Sequence, residues 1–101
     1  MKKAMIAQPM NGLTDEEILL VKSDATKRLN ELGFEVVNTF FEFGELPYVK
    51  NKPLFYLAKS IEILSKCDVV YFCKGWESAR GCKCEHEVAK AYGMEIIYEG
   101  E

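Results

Sequence analysis

The chain predicts one α/β domain built on a short, mainly parallel sheet of four strands. Three observations lead there. Apolar runs of strand length alternate with segments of helical period in the order βαβαβαβ. The run Val69-Val70-Tyr71-Phe72 is apolar without a break, as in a strand buried on both faces. The 101 residues suffice for one core and are too few for two, so residues 1–101 are expected to form a single domain.

Each element follows from local signals. Lys3 to Gln8 is an apolar run closed by Pro9 and Asn11-Gly12, a first strand and its turn. Thr14 with Glu17 three residues on forms a capping box, so a helix starts there. Its apolar positions are Ile18, Val21, Ala25, Leu29 and Leu32, and Gly33 stops it. Phe34 to Phe41, dense in aromatic and β-branched residues, is the second strand. Phe43 to Lys52 has no period and reads as a loop long enough to be functional or mobile. Pro53 opens a second helix with apolar positions Leu54, Leu57, Ala58, Ile61 and Leu64, ending near Lys66. Cys67 to Cys73 is the central strand, and Lys74 to Gly81 a loop. A third helix runs from about Cys82 to Tyr92, stops at Gly93, and leads to a last strand at Glu95 to Tyr98. Right-handed crossovers then give a three-layer fold of the flavodoxin-like or Rossmann-like kind, with expected strand order 2-1-3-4.

Composition narrows the partners. Hydrophobic residues make up 49% and charged residues 29%, the balance of an ordinary globular domain. The net charge of -3, with both signs interspersed, offers no basic field for a nucleic-acid polymer. The apolar start at Met1 to Ala7 stops at Gln8-Pro9 before a signal-peptide core develops, and no run approaches the roughly 18 apolar residues of a membrane span. A cytoplasmic protein is expected. Cys67, Cys73, Cys82 and Cys84 all fall in the last third, which suits reduced thiols better than a secreted disulfide framework.

In a parallel sheet of this kind ligands bind outside the carboxyl ends of the strands. Residues 8–13, 40–52 and 74–85 converge on that edge. In Gly81-Cys82-Lys83-Cys84-Glu85-His86-Glu87, Gly81 lets the backbone turn closely and Glu85 falls in about the first turn of a helix. Free backbone N–H groups there would favour an ionised, oriented carboxylate. Such a group is either a helix-stabilising charge or a nucleophile or base, and position alone leaves both readings open. Arg80 and Lys74 are the nearest cations for a phosphate or carboxylate, yet Arg80 could equally pair with Glu77 or Glu87, and Lys74 could cap the sheet edge. Trp76 and Tyr48 could stack on a base, and Trp76 could instead cover the core or a subunit contact. Phe40, Phe41 and Phe43 read as core or interface. Cys82, Cys84 and His86 alternate, but only Cys82 and His86 share a helix face, so zinc is disfavoured against small buried cysteines. No metal or cofactor is expected.

The strand Cys67-Asp68-Val69-Val70-Tyr71-Phe72, followed by a glycine-bearing loop and Gly81-x-x-x-Glu85-x-x-x-Ala89-x-x-x-Gly93, resembles the end of the nucleoside 2-deoxyribosyltransferase family. There an Ala-Asp-Val-Val-like strand precedes a Gly-Thr-x-x-Glu-x-Gly-x-Ala helix. The start is similar too: Met5-Ile6-Ala7-Gln8-Pro9-Met10 looks like that family's first strand and nucleoside-binding turn. The chain also resembles small bacterial and phage relatives sharing Gln-Pro-Met-x-Gly and Gly-Trp-Glu-x-Ala-Arg-Gly-Cys.

The resemblance implies that Glu85 is the nucleophile that attacks the anomeric carbon of a nucleoside or nucleotide, forming a glycosyl intermediate. It implies a substrate pocket drawn from Gln8, Pro9, Met10, Asn11, Gly12, Ser60, Lys74, Gly75, Trp76, Arg80 and Gly81, and a homodimer or higher homo-oligomer. Two positions depart from the family. Ser60 stands where the enzymes usually have an aspartate, and Glu87 stands where they have glycine. A hydroxyl does not protonate a leaving base as a carboxylic acid does. Three classes therefore follow: an N-glycosidic enzyme, a non-catalytic nucleotide-binding or sensing domain, and an interaction protein using exposed aromatics.

Overall fold

The computed structural model describes residues 1–37 and 49–100. Its elements are β1 (Lys2–Ala7), α1 (Asp15–Glu31), β2 (Phe34–Val36), α2 (Lys52–Leu64), β3 (Val69–Phe72), α3 (Arg80–Ala91) and β4 (Glu95–Tyr98), with a single 3-10 turn at Trp76–Ser78 before α3. The four strands form one parallel sheet in the order β2-β1-β3-β4. Registers of Ala4 with Val36 and Val69, and of Val70 with Ile96, fix it. The three helices flank it in a three-layer, flavodoxin-like arrangement.

Strand alternation divides the core into two faces. Ala4, Ile6, Val69 and Tyr71 point to the side covered by Ala25 and Leu29 of α1. Met5, Ala7, Val70 and Phe72 point to the side covered by Leu64 of α2 and by Cys82 and Ala89 of α3. All of β3 is buried, as its unbroken apolar run requires. Each large side chain there contributes about 1.5–3 kcal/mol by leaving water.

Caps set the helix starts. Thr14 and Glu17 make the expected reciprocal capping box at α1. Helix α2 begins at Lys52, because the Asn51 side chain accepts from the Leu54 N–H at 3.1 Å and acts as its N-cap. Helix α3 begins at Arg80, two residues before the expected Cys82, behind Ala79, whose methyl group caps nothing. Leu32 and Leu54, expected on the inner faces, are exposed at the helix ends. The second strand is three residues long, and the expected extension to Phe41 lies outside the described residues, as do Phe40, Phe43 and Tyr48.

At the amino edge of the sheet Asp68 binds the two central strands together. Its carboxylate accepts from the Lys3 N–H at 2.8 Å, and its own N–H donates to the Lys3 carbonyl at 2.8 Å. Among the described residues no helix is long and apolar enough to cross a membrane. All four cysteines are free thiols.

Candidate functional site

A cleft of about 320 Å³ opens beyond the carboxyl end of β1. Residues 8–11 form one wall, and Pro53, Tyr56, Leu57 and Ser60 of α2 form a second. The third comprises residues 79–82 at the start of α3, with Glu85 one turn further on. A larger cavity of about 550 Å³ lies at the opposite edge of the sheet between α2 and α3. Its lining is mostly apolar, with Ile61, Leu64, Val88 and Met94, and carries no charged side chain among the described residues, whereas Arg80 and Glu85 line the smaller cleft.

Glu85 is the only carboxylate among the described residues that line the cleft. Its side chain is 8% exposed, and its oxygens accept no hydrogen bond from the described residues. It is the sixth residue of α3, beyond the free N–H groups of the first turn. The expected stabilisation of its ionised form is therefore missing, because the helix starts earlier than its sequence signals. Burial instead raises its pKa from 4.5 to about 7. A carboxyl group poised there can exchange a proton at neutral pH or, once ionised, act as a poorly solvated nucleophile. The Glu85 carboxyl group lies beside the start of α3: a Cβ built at Gly81 would stand 3.9 Å from Glu85 Oε1, an ordinary van der Waals contact.

The other expected site residues divide into three groups. Pro9, Met10, Asn11, Ser60, Arg80 and Gly81 line the cleft with Glu85. Gln8 lines it as well, but its Nε2 donates to the Ile18 carbonyl at 3.0 Å, which ties the strand end to α1. Gly12, Lys74, Gly75 and Trp76 are not among the lining residues. Gly12 makes the turn before α1 at φ +80°. Gly75, at φ +89°, packs behind Pro9: a Cβ there would meet Pro9 Cγ at 3.5 Å. The Lys74 backbone N–H donates to the Glu99 carboxylate at 3.2 Å, and its side chain runs along Gly100, past the carboxyl end of β4.

Trp76 has its partner inside the protein. Its indole stacks on the His86 ring with centroids 4.1 Å apart and planes 28° apart, while His86 Nε2 lies 2.6 Å from the Tyr98 hydroxyl. Phe72 closes this cluster from beneath, 5.1 Å from the His86 ring. Trp76 thus clamps the loop before α3 onto β3 and β4. Cys82 and Cys73 are buried, their thiols pushed up to about 12 by desolvation. Among the described residues no group of three His, Cys, Asp or Glu side chains comes together to hold a metal ion.

Sequence reasoning missed Pro53, Tyr56 and Leu57. They precede Ser60 at three- and four-residue spacing, which puts them on the Ser60 face of α2. That spacing could have identified them. Tyr56 brings aromatic surface into the cleft, in edge contact with Phe55 at 6.0 Å.

No curated protein and no solved structure matches the chain. The model of a domain of unknown function, DUF4406, matches residues 2–98, and the chain belongs to that family.

Proposed function

We propose that the cleft binds a nucleoside or nucleotide and that Glu85 cleaves or transfers its N-glycosidic bond by attack on the anomeric carbon. The observation that carries this reading is the largely buried residue Glu85, whose carboxyl oxygens accept no hydrogen bond from the described residues, in one cleft with Asn11, Ser60 and Arg80. A Glu85 oxygen forms a bond to the anomeric carbon as the carbon–nitrogen bond breaks. That electron pair leaves with the base, which takes up a proton. Water or an incoming base then opens the glycosyl ester and returns the carboxylate. Burial supports the first step, because a carboxylate stripped of water is a stronger nucleophile. Asn11 and Ser60 offer hydrogen bonds to sugar hydroxyls or base edges, and Tyr56 offers an aromatic face. The protein acts in this reading as a cytoplasmic homo-oligomer, with exposed Leu54 and Tyr92 available for subunit contacts.

A second reading keeps the ligand and drops the reaction. Ser60 supplies no acid for the leaving base, and no second carboxylate lines the cleft among the described residues, which favours a nucleotide-binding or sensing domain. Base release from deoxynucleosides and deoxynucleotides, followed by chromatography for the wild type and Glu85→Gln, separates the two. The enzymatic reading expects free base from the wild type and a loss on the order of a thousandfold in the variant. Equal release by both proteins removes Glu85 from the mechanism, and saturable binding without any release leaves the sensing reading.

A further inference from the structure

We propose that two copies of the chain associate through the exposed face of α1, paired antiparallel about a two-fold axis. The inference gives the homo-oligomer of the preceding reading a surface, and it holds whether or not Glu85 cleaves a bond.

Helix α1 covers its side of the sheet alone. Val21, Ala25 and Leu29 close the core over Ala4, Ile6, Val69 and Tyr71, and among the described residues no side chain of α2 or α3 enters that cluster. Three inward positions at i, i+4 and i+8 suffice for this cover. Yet the run Ile18 to Val21 is apolar throughout, and four consecutive residues turn through a full circuit of a helix. Leu19 and Leu20 therefore face away from the sheet, 64% and 65% exposed. Leu13, 39% exposed, lies seven residues before Leu20 and carries the patch towards the turn that precedes α1. A single exposed leucine is ordinary, but three gathered along one helix face mark a contact surface.

The charges around the patch select the partner. Glu16, Leu20, Ser23 and Lys27 are exposed and follow at four-, three- and four-residue spacing, so they form one outer stripe. Acids in the first turn answer the helix dipole, but Lys27 stands before the last turn. Neither it nor Glu16 forms an ion pair among the described residues. The stripe is complementary to its own reverse. A two-fold pairing centred between Leu20 and Ser23 sets Glu16 of each copy opposite Lys27 of the other. It also brings the leucines together at the axis, where the small Ser23 side chains leave room. A shift of one turn sets Glu16 against Asp24 or Glu31 of the other copy, and a parallel pairing sets like charge on like charge. The pattern thus fixes direction and register. The 17 residues of α1 span about 25 Å at ~1.5 Å per residue, a contact at the small end of specific interfaces, so the dimer is weak and concentration-dependent.

Sedimentation from about 1 μM to about 1 mM protein tests this in the wild type, Leu20→Asp, Glu16→Lys and Lys27→Glu, with circular dichroism to check folding. The wild type is expected to pass from monomer to dimer over that range, and Leu20→Asp should weaken association at least about tenfold. Glu16→Lys presents only lysine, and Lys27→Glu only glutamate, at both ends of the contact, so each alone should also lose at least about tenfold. An equimolar mixture of those two variants restores opposite charges at both ends and should associate as the wild type does. A wild type that stays monomeric up to about 1 mM overturns the inference, as does a mixture that associates no better than its components. Association that the three α1 substitutions leave intact and that Leu54→Asp or Tyr92→Asp abolishes places the contact on the α2 and α3 side and overturns it as well. Each of these outcomes leaves the reaction of Glu85 to be decided by base release.

Discussion

His86 and Tyr98 meet through a 2.6 Å hydrogen bond between Nε2 and the phenolic hydroxyl, beneath the indole of Trp76. The bond links α3 to β4 on the helix turn that carries Glu85, so the aromatic cluster holds the candidate nucleophile in register with the sheet. Tyr98→Phe leaves a buried ring nitrogen without its partner. The expected cost is about 1–3 kcal/mol, read from the denaturant midpoint at unchanged slope.

Gly75 sits at φ +89° with Pro9 behind it. An alanine there adopts a left-handed conformation at a cost of about 1–2 kcal/mol, while its Cβ meets Pro9 at ordinary van der Waals distance. Gly75→Ala should therefore lower stability by that amount, read from the denaturant midpoint. Gly93, also at positive φ and with open space around it, should respond to Gly93→Ala in the same way.

The raised pKa of Glu85 has a definite sign in stability. Between pH 4.5 and about 7 the unfolded chain has released this proton and the folded chain retains it, so folding weakens as pH rises. The contribution is complete below pH 4.5 and gone above pH 7, a change on the order of 3 kcal/mol for this largely buried group. Glu85→Gln cannot ionise. Its stability relative to the wild type should rise by that amount between pH 4 and 8 in paired urea titrations, and parallel pH dependences in the two proteins would contradict the burial argument.

Thiol accessibility gives a separate check of the fold. Cys84 is exposed, Cys67 half-buried, and Cys73 and Cys82 buried with thiols near 12. A thiol reagent at neutral pH should modify Cys84 first, then Cys67, and reach the other two only after unfolding.

The sheet was largely legible because its signals are local. Val69 to Phe72 announces a buried strand by composition, and Thr14 and Glu17 announce a helix by spacing. The site was legible in location and less so in its chemistry. Ala79 is no capping residue, so Gly81 reads as the turn before a helix that has already begun, and Glu85 reads as one turn closer to free amides than it is. That single offset changes the expected carboxylate from one favoured in its ionised form to one held near neutrality by burial. Trp76 reads equally as a base-stacking residue or as a cover for the core or a subunit contact, because no local pattern links it to Tyr98 across β3 and β4. That Arg80 forms no ion pair with Glu77 or Glu87 is likewise a property of three-dimensional placement that sequence spacing does not show.

In the proposed reaction the Glu85 carboxylate bonds to the anomeric carbon, and intact-protein mass spectrometry after incubation with a 2'-deoxy-2'-fluoro nucleotide, whose fluorine slows breakdown of a glycosyl ester, detects that bond. The expected result is a mass increase equal to the nucleotide less its free base, mapped by peptide fragmentation to Glu85 and missing from Glu85→Gln. Base release without an adduct in the wild type, or an adduct that persists in Glu85→Gln, would contradict it.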